Sequence, residues 1–368
     1  MLLMATVAAA QLQTPSWRAT SVARTSQVES RLYRTGSGAS LDSDVIEPDS
    51  LPFEEPSPGG FDVLGDEPQF LPAGDGSCCY PPNHAVAPRR FVFAEYLYWQ
   101  PTNHQLDYAI VDDFGAAAVS GETARLEYEA QSGVRAGLGF QTASGWDLQF
   151  AYTGLESRDE QQTEGFLIAT VSHPSFNVFA TSAEATADLD YDVLDLEFGH
   201  RFLITEACRL RLHAGLRGAR ISQALDVRFD GGDFFAGHVA RSHEFRGIGL
   251  RVGAEGTWLL CYGVGVFGRV GGSLLAGNLD TRAVESDALG LIVNVSDDAD
   301  LIAPATEIAL GLTWEGRHWQ VQTGYELTSW YNLSNRLAFH DDLHVASFSR
   351  SQDVLGLHGL FARVGYAW

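Results

Sequence analysis

The stretch "LHGLFARVGYAW", Leu357–Trp368, decides how the chain is read. Taken two residues at a time, Trp368, Tyr366, Val364, Ala362 and Leu360 form one row, and that row is apolar. Ala367, Gly365, Arg363, Phe361 and Gly359 form the other. A period of two with one apolar row is the mark of a strand with an apolar face. Chain ends fray unless something ties them down. A strand that runs to the last residue therefore needs a neighbour, and Phe91–Gln100 supplies one if the sheet closes on itself.

Working outward, ten segments carry the same texture: 91–100, 125–141, 146–157, 188–203, 208–221, 244–258, 263–276, 304–315, 319–330 and 354–368. In 125–141, Leu126, Tyr128, Ala130, Val134, Ala136, Leu138 and Phe140 share a face, with Arg125, Glu127, Glu129, Gln131 and Arg135 opposite. "WDLQFAY" puts Trp146, Leu148, Phe150 and Tyr152 against Asp147 and Gln149. In the fourth segment the apolar parity changes, from Tyr191 and Val193 to Leu194, Leu196 and Phe198, which predicts a β-bulge near Val193. Short connections (142–145, 204–208, 259–263, 315–318) alternate with long ones (101–124, 158–187, 222–243, 277–303, 331–353). That rhythm is an up-and-down antiparallel meander, with both chain ends on the short-turn side.

Alternation alone does not separate a soluble barrel from a membrane barrel. Three features favour the membrane. Trp146, Trp258, Trp314, Trp319 and Trp368 lie by short turns or the terminus, and Trp99 and Trp330 lie at the opposite strand ends, as two aromatic girdles would. Strands of about 11 residues tilted by ~40° cover a ~25 Å apolar band. No strand segment carries an internal proline, as a compulsory closed ladder requires. The expected fold is an all-β transmembrane up-and-down antiparallel β-barrel of about ten strands, with eight to twelve allowed. The expected location is the outer membrane of a Gram-negative-type bacterium, with membrane lipid as the surrounding partner.

The N-terminal quarter differs. "MLLMATVAAA", residues 1–10, resembles the end of a secretory signal peptide that lacks its basic start. Residues 11–88 read as a disordered acidic, proline-rich linker: ten of the 13 prolines lie in the first 88 residues, and 11 acids face four arginines. Residues 89–368 are the barrel. Every one of the 24 basic residues is arginine, and the net charge of −23 argues against nucleic acid as a partner. No cysteine pair has metal-binding spacing, and no cofactor motif is found: "GVGVFGRVGG" alternates as a strand, and "SDDAD" (296–300) lacks the ligand spacing of a calcium loop. Cys208 and Cys261 fall in neighbouring short turns, where a disulfide is geometrically allowed; Cys78 and Cys79 are further candidates.

Several stretches resemble the pore-forming outer-membrane family related to the Legionella-type major outer membrane protein: "EYLYW" (95–99), "YDVLDLEFGHRF" (191–202), "LRLHAGLRGAR" (210–220), "FRGIGLRVGAEGTW" (245–258), "GRVGGSLLAG" (268–277) and "GYELTSWYN" (324–332). The resemblance covers roughly 90–368. It implies an outer-membrane barrel with a pore and no catalytic residues. A last strand ending on an aromatic also resembles the signal read by barrel-insertion machinery, an implied partner.

The rows opposite the apolar face hold both charge signs. The expected lumen lining is Arg125, Glu127, Glu129, Arg135, Asp147, Asp195, Glu197, Arg201, Arg209, Arg211, Arg217, Arg251, Glu255, Arg269, Glu307, Glu326 and Arg363. The leading expectation is that these residues line a conducting pore for ions or small hydrophilic solutes; the alternative is that they fill a narrow bore with ion pairs. The second case makes the barrel a plugged anchor for its surface loops or its periplasmic linker. A surface hydrolase would need loop-borne Asp342 and His344, or Asp188, Asp190 and Asp192, brought together at the mouth. The chain is expected not to be an enzyme.

Overall fold

A computed structural model describes residues 88–103, 105–112, 120–172, 179–339 and 348–368, with side chains from 334 to 353 left out. The signal-like start, the linker up to 87, Cys78, Cys79, Asp342 and His344 lie outside the described residues. Twelve strands follow one another: β1 (Arg89–Thr102), β2 (Asp107–Asp112), β3 (Gly121–Arg125), β4 (Gln131–Gln141), β5 (Trp146–Ala169), β6 (Phe179–Leu203), β7 (Cys208–Gly231), β8 (Phe234–Cys261), β9 (Val264–Asp287), β10 (Gly290–Glu315), β11 (Trp319–Phe339) and β12 (Phe348–Ala367). Ten of them close a ring, in which β1 pairs with both β4 and β12 and each later neighbour pairs antiparallel with the next. The β2–β3 hairpin is extra and bonds to the far end of β5. The last strand is tied down: Arg90 donates to the Trp368 carbonyl at 3.1 Å, and Trp368 donates back to Arg90 at 3.0 Å.

From β5 to β10 the strands run 24 to 28 residues, more than twice what the membrane needs. At ~3.3 Å per residue and ~40° tilt, such a strand rises about 60 Å against a ~25 Å apolar band. What the strand shows to each side changes along its length. On β6, Leu194, Leu196 and Phe198 face outward and exposed, while Asp195 and Glu197 are buried inside. Beyond Val193 the rows trade chemistry. Leu189, Tyr191 and Val193 are buried inside, and Asp188, Asp190 and Asp192 face out. The same turnover occurs on β9, where Val266, Val270 and Leu274 are exposed outside, Arg269 lies inside, and Leu275 and Leu279 are buried further up. Below the changeover the outer solvent is lipid; above it the outer solvent is water.

Three sequence expectations are corrected here. No bulge occurs at Val193, whose ladders to Thr153 on β5 and Ala219 on β7 are continuous. The apolar parity changes because the surroundings change, not the backbone. The long connections are largely strand: 158–169 belong to β5, 222–231 to β7, and β9 and β10 meet at a tip between Asp287 and Gly290. "SDDAD" is therefore strand, with Asp298 bonded to Asn278 of β9. Pro304 does lie inside β10. The β10–β11 ladder begins only at Ala305, so the missing donor falls where pairing stops.

Candidate functional site

In the bore, every barrel strand brings polar chemistry inward among the described residues. Its lower half, at the short-turn end, holds Glu95 (β1), Arg135 (β4), Asp147 (β5), Asp195 and Glu197 (β6), Arg211 and Arg217 (β7), Arg251 (β8), Arg269 (β9), Glu307 (β10) and Glu326 (β11) in contact. Arg201, Glu255 and Arg363 complete the set, and seven arginines then balance seven carboxylates. Some pairs follow the ladder to the neighbouring strand, and others cross the bore. Arg135 holds Glu326, three strands away, at 3.0 Å and Glu95 at 2.7 Å. Arg217 grips Asp195 at 2.6 and 2.8 Å and also bonds Glu307, three strands away. Arg251 joins Glu197 at 2.9 Å to Glu307 at 2.7 Å. Arg211 joins Asp147 at 2.6 Å to Glu197 at 3.0 Å, and His213 stands 3.4 Å from Glu197. Forked guanidiniums suit this bridging because each serves two carboxylates in fixed geometry.

An aromatic layer lies on this network. Trp99, Tyr191 and Trp330, from β1, β6 and β11, are almost fully buried and meet edge to face, with centroids 6.3 and 6.1 Å apart. Trp330 donates to the Tyr191 hydroxyl at 3.3 Å. Arg135 and Arg217 reach up to the Trp99 and Trp330 rings at 5.4 and 5.8 Å, so the charged and aromatic layers are continuous. Farther along the strands the interior buries apolar Leu126, Leu189, Leu225 and Leu279 together with polar Gln223, Thr281 and Glu285. At the outer mouth Asn103 crosses to Gln223 at 2.8 Å, Tyr108 meets Thr163 at 2.6 Å, and Arg241 bonds the Val171 carbonyl. At the opposite mouth an open vestibule of roughly 1110 Å³, a volume that includes space open to solvent, reaches in as far as Arg211, Glu255 and Arg363. Arg209 and Glu315 pair at its rim.

Other sequence-predicted positions fall elsewhere. Arg125, Glu127 and Glu129 are exposed on the outside, and Arg125 pairs with Asp107 at 2.5 Å. Leu126 and Tyr128 take the inner side because this segment stands above the membrane, where the rows are reversed. Trp146, Trp258, Trp314, Trp319 and Trp368 are exposed at the short-turn end, and Trp146 stacks on Phe198 at 4.8 Å. Trp99 and Trp330 are not girdle residues, because their ladder parity points them inward. Cys208 and Cys261 are not joined. The ladder sets Cys208 opposite Trp258, three residues short of Cys261. Asp188, Asp190 and Asp192 face outward from β6 and cannot gather over the bore. Sequence reasoning missed Glu95, His213 and the Trp99–Tyr191–Trp330 trio. The signal for Glu95 was present in "EYLYW", where it shares a row with Leu97 and Trp99.

Comparison with a known family agrees with this architecture. Residues 89–368 match the family model described as Legionella pneumophila major outer membrane protein precursor. Among solved structures, the outer membrane protease OmpT from Escherichia coli is similar at 10% identity, covering 76% of this chain and 97% of that one, with a TM-score of 0.41. A major outer membrane protein from Thermus thermophilus is similar at 9% identity, covering 77% and 100%, with a TM-score of 0.34. The P. putida toluene transporter TodX is similar at 9% identity, covering 76% and 89%, with a TM-score of 0.21. No curated protein matches the chain. With its lipid-facing band and its closed ring of strands, the chain belongs to the family of the Legionella pneumophila major outer membrane protein precursor and is an outer-membrane β-barrel.

Proposed function

We propose that the protein is a plugged outer-membrane barrel: a membrane-anchored cylinder whose extension beyond the outer leaflet presents a surface to partners. The observation that carries this reading is the filled bore. Ion pairs link strands across the lumen, and the buried Trp99–Tyr191–Trp330 rings lie across it immediately above. A ten-stranded barrel is only slightly wider than one that side chains fill, so a modest number of large residues suffices. A conducting pore would require these layers to part. Buried pairs resist that, because separating one leaves charges unpaired in a poorly solvated interior. Recording from the refolded protein in planar bilayers tests the proposal. Reconstituted, heat-modifiable barrels are expected to give no unitary current steps; regular steps in most insertions would overturn the closed reading and support a pore.

A further inference from the structure

The vestibule at the short-turn end has a charge character opposite to that of the chain. The protein carries −23 overall, yet six arginines line this cavity against Glu255 and Glu315. Arg201, Arg209 and Arg211 are each committed to a carboxylate. Arg363 is not. Among the described residues no carboxylate lies within the 4.0 Å ion-pair distance of its guanidinium, and its Nε has no partner. Its ladder neighbour Glu95 is taken by Arg135 and Arg269. The Arg363 guanidinium instead lies 3.7 Å over the Phe93 ring, where it lines the cavity. Directly across the ladder, Gln322 is 1% exposed, and neither its amide nitrogen nor its amide oxygen has a partner. A buried amide left open beside a half-buried guanidinium whose Nε is also open is costly, unless something polar completes them.

We propose that this pair is a binding site for a small oxyanion, a carboxylate or a phosphate, that enters from the periplasm. The guanidinium supplies a planar two-pronged donor, the Gln322 amide a third N–H, and the Phe93 ring a floor that fixes the guanidinium plane. Gly137 makes this floor available, since a Cβ there would meet the Phe93 ring at 2.5 Å. The poorly solvated walls and the surrounding arginines raise the local potential for an anion. The site stands whether or not the bore conducts, because it opens on the vestibule below the aromatic layer.

The test is calorimetric titration of the full-length chain, folded in detergent, with sodium succinate and, separately, inorganic phosphate. Ionic strength is held constant with chloride. At least one probe is expected to bind saturably, and which one binds identifies the anion class. Arg363→Gln should weaken that binding about tenfold or more, and Gln322→Leu severalfold, as loss of charged and neutral donors implies. Gln322→Leu should also leave the folded, heat-modifiable band intact or more stable, because it removes an unsatisfied buried amide. Absence of saturable binding by both probes, or binding unchanged in both variants, overturns the proposal. If Arg363→Gln does not fold, the Gln322→Leu titration alone decides.

Discussion

At the scale of single residues, the bore is built from shared charges. Arg217 serves Asp195 and Glu307 together, so its removal leaves two buried carboxylates without their principal counter-ion. Arg217→Ala should therefore lower stability by about 3–5 kcal/mol, the usual cost of breaking a buried pair from one side. Urea or guanidinium unfolding in detergent, followed by tryptophan fluorescence, measures it. A loss under about 1 kcal/mol would mean that water already reaches these groups, as in an exposed pair. His243 gives a second handle, in the barrel wall beyond the membrane. Burial, with Arg241 adding to it, pulls its imidazole down to about 4, and its Nδ1 lies 3.3 Å from the Thr281 hydroxyl. The folded state prefers the neutral ring, so this contribution is present above the unfolded value of about 6.5 and is lost as pH falls from there to about 4. The melting temperature should drop over that window, and His243→Leu should flatten the drop. An unchanged pH profile in the variant would show that His243 is not the titrating group.

At the scale of the element, each long strand is two amphipathic ribbons joined without a break. On β6 the outer row is Leu194, Leu196 and Phe198 in lipid and Asp188, Asp190 and Asp192 in water, all at even positions. The same substitution should then have unequal costs. Leu196→Arg puts a cation into the hydrocarbon and should cost about 2–4 kcal/mol, whereas Asp192→Arg at the surface should cost about 0–1 kcal/mol. Folding titrations into lipid vesicles compare them; equal costs would place the membrane boundary elsewhere. The lower ribbon was legible in the sequence, because lipid outside and charge inside make a strong alternation in "WDLQFAY" and "ARVGYAW". The upper ribbon was not. Its outer row of Asp, Thr and Ser, and its inner row of small residues such as Ala183, Ala185 and Ala187, have the composition of a loop. The change at Val193 imitates a bulge, since a slipped backbone and an exchanged solvent alter the apolar parity in the same way.

At the scale of the whole molecule, the ring, its ten strands and its closure through β1 and β12 follow from the alternation and the turn rhythm. The charge network of the bore does not, because it depends on which charges meet across the ring. Sequence order places Arg135 and Glu326 191 residues apart, and only the barrel brings them to 3.0 Å. Tryptophan position along a strand likewise puts Trp99 and Trp330 at the level of a girdle. Parity turns them inward, since Tyr96 and Tyr98 hold the outer row of β1 and Tyr325, Leu327 and Tyr331 hold that of β11. The bore is thus asymmetric among the described residues, with a charged network and an aromatic layer crossing it and a vestibule open below.

The exchange of inside and outside chemistry part-way along each ribbon is tested most directly by spin labels placed one at a time from 186 to 198 on β6, with the protein in lipid vesicles. Collision with oxygen, which concentrates in hydrocarbon, is compared with collision with a water-soluble nickel chelate. Labels at 194, 196 and 198 should meet oxygen, labels at 188, 190 and 192 should meet the chelate, and odd-numbered labels should meet neither. Oxygen contact continuing up the even row past 192, or chelate reaching the odd row at 189 to 193, would contradict it.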